Sequence, residues 1–177
     1  LLGAPLRVSH RYENHRWWDS RLVNREIPQD YSQHSVTQNL SLLEAIGGRP
    51  QLKEHSTRLF LTSEESAWAT DYLSRQPMAD RVWVGFHVGS GTTKNLSLRR
   101  WPRESYLQLI QTLLALRPDL GVFLFGGPEE RDDHAWLKQH LPEERVQVPE
   151  TRNMKQAAAL LGHCRAFLSI DSALMHL

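Results

Sequence analysis

Apolar positions along the chain fall into two rhythms, and the change from one to the other predicts the elements. From Arg81 onward short apolar runs alternate with helical stripes. Val82-Trp83-Val84-Gly85-Phe86 reads as a buried strand. Trp101-Pro102 opens a helix over 102–116, with proline in its first turn and Tyr106, Leu109, Ile110, Leu113 and Leu116 on one face. A strand at 121–125 (GVFLF) leads through Gly126-Gly127-Pro128-Glu129-Glu130 into a helix ending near His140. A strand at 145–148, a helix capped by Asn153 and running through Leu161, and a strand at 166–170 complete the series. Strands alternating with helices predict βαβ units, hence an α/β fold with a parallel sheet covered on both faces.

The first 80 residues are less regular. Leu6 to Val8 suits a short strand. Val36, Leu40, Leu43 and Ile46 lie at helical spacing within 32–46, and Gly47-Gly48 ends that run. Residues 58–61 (RLFL) suit a short edge strand. Thr62 and Glu65 form a capping box, opening a helix to about Arg75 with Trp68 and Tyr72 on one side.

Composition narrows the class. The chain has 177 residues, 40% hydrophobic and 23% charged, with a formal net charge of +1. These values suit a globular protein and give no global field for nucleic acid. The single cysteine, Cys164, cannot form an internal disulfide, which fits a reducing compartment. No apolar run is long enough to span a bilayer. The chain starts at Leu1 and stops inside an apolar pattern at Leu177, so a fragment is expected.

In an open parallel sheet, ligands bind outside the carboxyl ends of the strands. Those ends carry Gly89-Ser90-Gly91, Gly126-Gly127-Pro128-Glu129 and Asp171-Ser172. Glycines let backbone N–H groups approach a phosphate, hydroxyls add donors, and cations neutralise charge. Lys94 and the pair Arg99-Arg100 supply cations. Neither a dinucleotide fingerprint nor a P-loop is present. Glu129, Glu130, Asp132 and Asp133 fit the acid-favouring first turn of a helix, and equally a ribose contact. Asp171 suits a helix cap or a sugar contact, and His176, one turn on, suits either packing or the site. His134 and His140 lack metal-ligand spacing, so no metal is expected. Residues 10–25 hold Arg11, Arg16, Trp17, Trp18, Arg21 and Arg25 against Glu13 and Asp19. One reading is a surface for anionic lipid or for an anionic acceptor; the favoured one packs the tryptophans against the body and leaves the arginines wet.

With these residues in view, 82–177 resembles glycosyltransferase family 9, the ADP-heptose:lipopolysaccharide heptosyltransferases. FHVGSG, RRWP with its helix, FLFGGPEE, the alanine-rich helix and SIDSALMHL carry the likeness, in order and spacing. The resemblance implies a Rossmann-like parallel sheet within a two-domain GT-B fold. Residues 1–50 would be the tail of the N-terminal acceptor domain and the connection, and 51–177 an incomplete nucleotide-sugar-binding domain. It implies inverting transfer of heptose from ADP-heptose to a lipid-linked lipopolysaccharide core acceptor, without cofactor, metal or nucleic acid. It implies a cytoplasmic location, with peripheral contact with the inner membrane left open. By the same likeness Arg99 would stabilise the leaving diphosphate. Gly89, Ser90, Gly91 and Lys94 would line the phosphate loop, and Glu129 or Glu130 would hold the ribose. Arg152 would lie by the base, and Asp171, Ser172 and His176 would complete the site. Arg99 stands where lysine is usual and Ala173 where glycine is usual. The base-bearing half would lie outside this chain, so the fragment is expected to be inactive alone. Two other readings are a non-catalytic nucleotide-sugar-binding module and a membrane-binding module built on the basic tryptophan segment.

Overall fold

The computed structural model describes residues 3–49, 58–77, 81–89 and 100–176. The chain divides into two compact units, residues 1–56 and 57–177.

In the first unit β1 (Val8–Arg11) and β2 (Arg25–Pro28) pair in parallel, Val8 opposite Arg25. A short helix, α1 (Asp19–Leu22), lies between them in sequence. Helix α2 (Ser35–Ala45) begins where the Nδ1 of His34 accepts the Val36 N–H. It ends at Gly47, whose φ of 86° suits a residue without a Cβ, while Gly48 N–H bonds Leu43 O at 2.9 Å. Buried His10 ties the strand to this helix by donating from Nε2 to Gln38 O at 3.0 Å.

One expectation fails in this unit. Trp17 and Trp18 do not pack into the body; they are 66% and 42% exposed. The favoured reading assumed that apolar rings find a core. Here the four-residue α1 buries no residue at all.

The second unit is a four-stranded parallel sheet in the order β5-β4-β3-β6. Its strands are β3 (Val82–His87), β4 (Leu120–Phe125), β5 (Val146–Gln147) and β6 (Ala166–Ser169). Every residue of β4 is buried, as a strand covered on both faces requires. Alternate side chains serve opposite layers. Phe86, Val122 and Leu124 join Tyr106 and Ile110 of α4 (Arg103–Leu116) and Leu137 of α5 (Arg131–His140). Trp83, Phe123 and Phe125 join α3 (Ser63–Ser74) and α6 (Met154–Leu161). The Thr62–Glu65 capping box forms, and Asn153 caps α6 through Gln156 N–H at 2.9 Å. Arg145 holds the end of α4, donating to the carbonyls of Leu114 and Arg117.

Several boundaries differ from expectation. The strand expected over Leu6 to Val8 runs instead over Val8–Arg11. Residues 58–61 form no strand. The strand expected at 145–148 shrinks to Val146–Gln147. Pro102 precedes α4 as its cap instead of sitting in its first turn. Each is a place where propensity is weak and neighbours decide. Cys164 is half-buried, donates to Leu160 O, and burial pushes its thiol up to about 12.

Gly121 faces Trp83 across the β3–β4 ladder, and its missing side chain lets the indole stack on Phe123, centroids 4.0 Å apart. A Cβ on Gly121 would lie 2.6 Å from the Trp83 ring. Gly121→Ala should therefore destabilise the protein by about 1–3 kcal/mol, read as a lower urea midpoint with unchanged slope.

His87 and His134 are both buried, and burial lowers both below the usual 6.5. Glu130 opposes the shift at each, while Arg100 reinforces it at His87. The unfolded chain then binds more protons just below pH 6.5, so stability should fall as pH drops through that window. Each histidine contributes up to ~1.4 kcal/mol per pH unit. The carboxylates of Glu65 and Asp119 are held low and act only further down, below their usual 4.5 and 3.8. His134→Gln should flatten the pH 5–6.5 slope of the urea midpoint by about half.

Candidate functional site

The strand order reverses at β3: the chain steps from β3 to β4 to β5 on one side, then returns to place β6 on the other. A crevice opens at such a switch point, above the carboxyl ends. His87 of β3 and Ser169 of β6 are paired in register there.

A hydrogen-bond chain links the two strand ends. Ser169 Oγ gives its only proton to Ile170 O at 2.7 Å. Toward its other neighbours it can therefore only accept. Ser172 Oγ donates to it at 3.0 Å, and His87 Nδ1 lies 3.4 Å away. His87 thus carries its proton on Nδ1 and is neutral near pH 7, since burial disfavours the cation. Tyr106 Oη donates to the His87 carbonyl at 3.3 Å, anchoring the strand end to α4.

The second feature is the carboxylate of Glu130, in the 3-10 turn Pro128–Glu130 that leads into α5. Its residue is only 4% exposed. Oε2 accepts the Gly127 N–H at 2.8 Å, and Oε1 accepts from Arg100 Nη2 at 3.3 Å. Arg100 also reaches Asp133 at 3.4 Å, and its buried Nε has no partner among the described residues. Gly89 lies directly against this side chain: a Cβ there would fall 1.8 Å from Glu130 Oε1. A Cβ on Gly126 would lie 2.8 Å from both Glu130 and His134. The glycines of two loops are thus required by one buried acid.

Above these groups lies a cavity of about 310 Å³. The carboxyl end of each strand contributes to it: His87, the last residue of β3, and the loops at Gly126-Gly127, Thr151-Arg152-Asn153 and Ala173-Leu174. A neighbouring hollow of about 470 Å³ shares Gly126, Gly127 and Thr151 and adds Arg131 and Glu150. Mixed apolar walls, exposed glycine backbone and an exposed arginine suit a ligand with a flat apolar part and an anionic part.

The expected site residues distribute as follows. Arg152 and Gly126-Gly127 line the cavity, and Ser172 belongs to the hydrogen-bond chain beside it. Gly89 abuts Glu130. Glu129 is exposed, whereas Glu130 is enclosed. Asp171 and His176 stand 3.9 Å apart with exposed side chains, and the segment 173–176 is a 3-10 turn. Ser90, Gly91, Lys94 and Arg99 lie outside the described residues. Among the described residues, no group of three or more His, Cys, Asp or Glu side chains could hold a metal ion. Nor is any helix among them long and apolar enough to cross a membrane.

His87 and the Arg100–Glu130–Asp133 cluster were not singled out as a unit by sequence. His87 does end an apolar run at a strand terminus, and that position was the available signal.

Comparison with known proteins places this arrangement. A 106-residue stretch is 30% identical to lipooligosaccharide heptosyltransferase 2 of Haemophilus influenzae, covering 56% of this chain and 29% of that protein. The E. coli ADP-heptose LPS heptosyltransferase II structure superposes with a TM-score of 0.68 at 23% identity, over 98% of this chain and 53% of that one. A family 9 glycosyl transferase from Veillonella parvula gives 0.73 at 18% identity, over 98% and 47%. The chain thus spans about half the length of these solved relatives, and its parallel sheets flanked by helices match that half of the GT-B fold. The model of glycosyltransferase family 9 (heptosyltransferase) matches residues 1–177, and the chain belongs to that family.

Proposed function

We propose that this heptosyltransferase-family chain carries the donor-binding part of an inverting transferase that moves heptose from ADP-heptose to a lipid-linked lipopolysaccharide core acceptor. The observation that carries the reading is the convergence of the carboxyl ends of all four strands on one cavity at the switch point. The family match and the E. coli relative, whose title names ADP-heptose, support the choice of donor. In this reading residues 1–50 belong to the acceptor side and its connection, and residues 51–177 hold the nucleotide sugar.

The roles follow from chemistry. The backbone at Gly89, with Ser90 and Gly91, offers donors to the diphosphate, and Ser172 stands beside it. Lys94 and Arg99 neutralise it, and Arg99 does so most as the leaving group gains charge. Exposed Glu129, rather than enclosed Glu130, receives the ribose hydroxyls, Arg152 lies beside the base, and Asp171 and His176 face the sugar. An acceptor hydroxyl attacks the anomeric carbon from the side opposite the diphosphate. The new C–O bond forms as the bond to the diphosphate oxygen breaks, ADP leaves with its electron pair, and the configuration inverts. The hydroxyl proton passes to a carboxylate outside this chain, so the chain is expected not to turn over alone. No metal takes part.

The test is calorimetry with ADP in the presence of EDTA. A single saturable site is expected, weakened about tenfold, or ~1.4 kcal/mol, by Arg152→Ala. Absence of heat with ADP and with every nucleotide sugar tried would remove the donor reading.

A further inference from the structure

The exposed aromatic surface of the first unit is unused by the reading above. Trp17 and Trp18 meet edge to face, with centroids 5.4 Å apart and planes at 76°. The guanidinium of Arg21 lies 4.8 Å from the Trp17 centroid, and that of Arg16 lies 5.2 Å from Trp18. The four side chains therefore form one continuous patch, Arg21–Trp17–Trp18–Arg16. Leu22, the next residue in sequence, is also 57% exposed.

We propose that this patch seats the protein on the surface of a bilayer rich in anionic lipid. Two adjacent indoles in water are costly unless something covers them. Their chemistry fits the headgroup layer, where an indole lies half in hydrocarbon and half in water, and a guanidinium meets lipid phosphate. The local charge agrees: residues 10–25 hold four arginines against Glu13 and Asp19. Asp19 is occupied, since its Oδ2 accepts the Arg16 N–H at 2.7 Å. Neither Arg16 nor Arg21 has a carboxylate partner among the described residues, so both cations remain available to phosphate. The inference stands on this surface alone, without the donor reading.

The experiment uses no nucleotide, so its failure is separate from that of the donor site. The purified protein is mixed with vesicles of phosphatidylethanolamine and phosphatidylglycerol, and partition is read by co-sedimentation. Brominated phosphatidylglycerol should quench part of the emission of the six tryptophans. Trp17→Ser with Trp18→Ser should abolish that quenching. Arg16→Gln with Arg21→Gln should lower partition roughly 10- to 30-fold, as should raising NaCl toward 1 M. Circular dichroism should be unchanged in both variants, and the arginine pair keeps the test valid if the tryptophan pair fails to fold. Equal binding to phosphatidylcholine vesicles, or binding that both variants retain, would overturn the proposal. So would competition by glycerol 3-phosphate without any lipid quenching. A dimer lost in the tryptophan variant, with no vesicle binding, would overturn it in favour of contact between copies.

Discussion

A single buried carboxylate organises the rim of the large unit. Glu130 ties the loop after β4 to itself through Gly127 N–H, and to the entry of α4 through Arg100. Hydrogen bonds of this charged kind contribute about 1.5–3 kcal/mol each. The same side chain lies so close to Gly89 and Gly126 that neither position can carry a Cβ without movement. One acid therefore dictates glycine in two loops and a cation in a third segment. Packing around that acid thus accounts for glycine at positions 89 and 126.

The sheet was legible because its signal is strong. Val82 to Phe86 and Gly121 to Phe125 are continuous apolar runs with helices between them, and no other arrangement buries such strands on both faces. The capping box at Thr62 and the cap at Asn153 were legible for a local reason: donor and acceptor lie three residues apart. What could not be read was long-range. Nothing local says that Arg100 meets Glu130 and Asp133 thirty residues on, or that Ser169 reaches His87 across the switch point. Of the candidate site, the cavity position was legible from loop convergence and Arg152 from the family resemblance, whereas the division between exposed Glu129 and enclosed Glu130 was not.

The tryptophan segment went the other way for a related reason. Amphipathic periodicity is a test for a helix lying on a surface, and residues 10–25 lack it. A cluster built from consecutive tryptophans, each under a nearby arginine, has no period to detect. Both rings stand just ahead of α1, which itself buries no residue.

The distribution of charge at the crevice limits how an anion could be held. Among the described residues that line the smaller cavity, Arg152 is the one that carries a formal charge. His87 is neutral there, because burial outweighs the pull of Glu130. Arg100, although close, already shares its guanidinium between two carboxylates. Moving it to a diphosphate would strand Glu130 in a buried site, at a cost of several kcal/mol. Arg131, exposed at the neighbouring hollow, is the further cation among the described lining residues. Lys94 and Arg99 belong to segment 90–99, outside the described residues. The described framework thus fixes the pocket's shape and brings two exposed arginines, Arg131 and Arg152, to its walls.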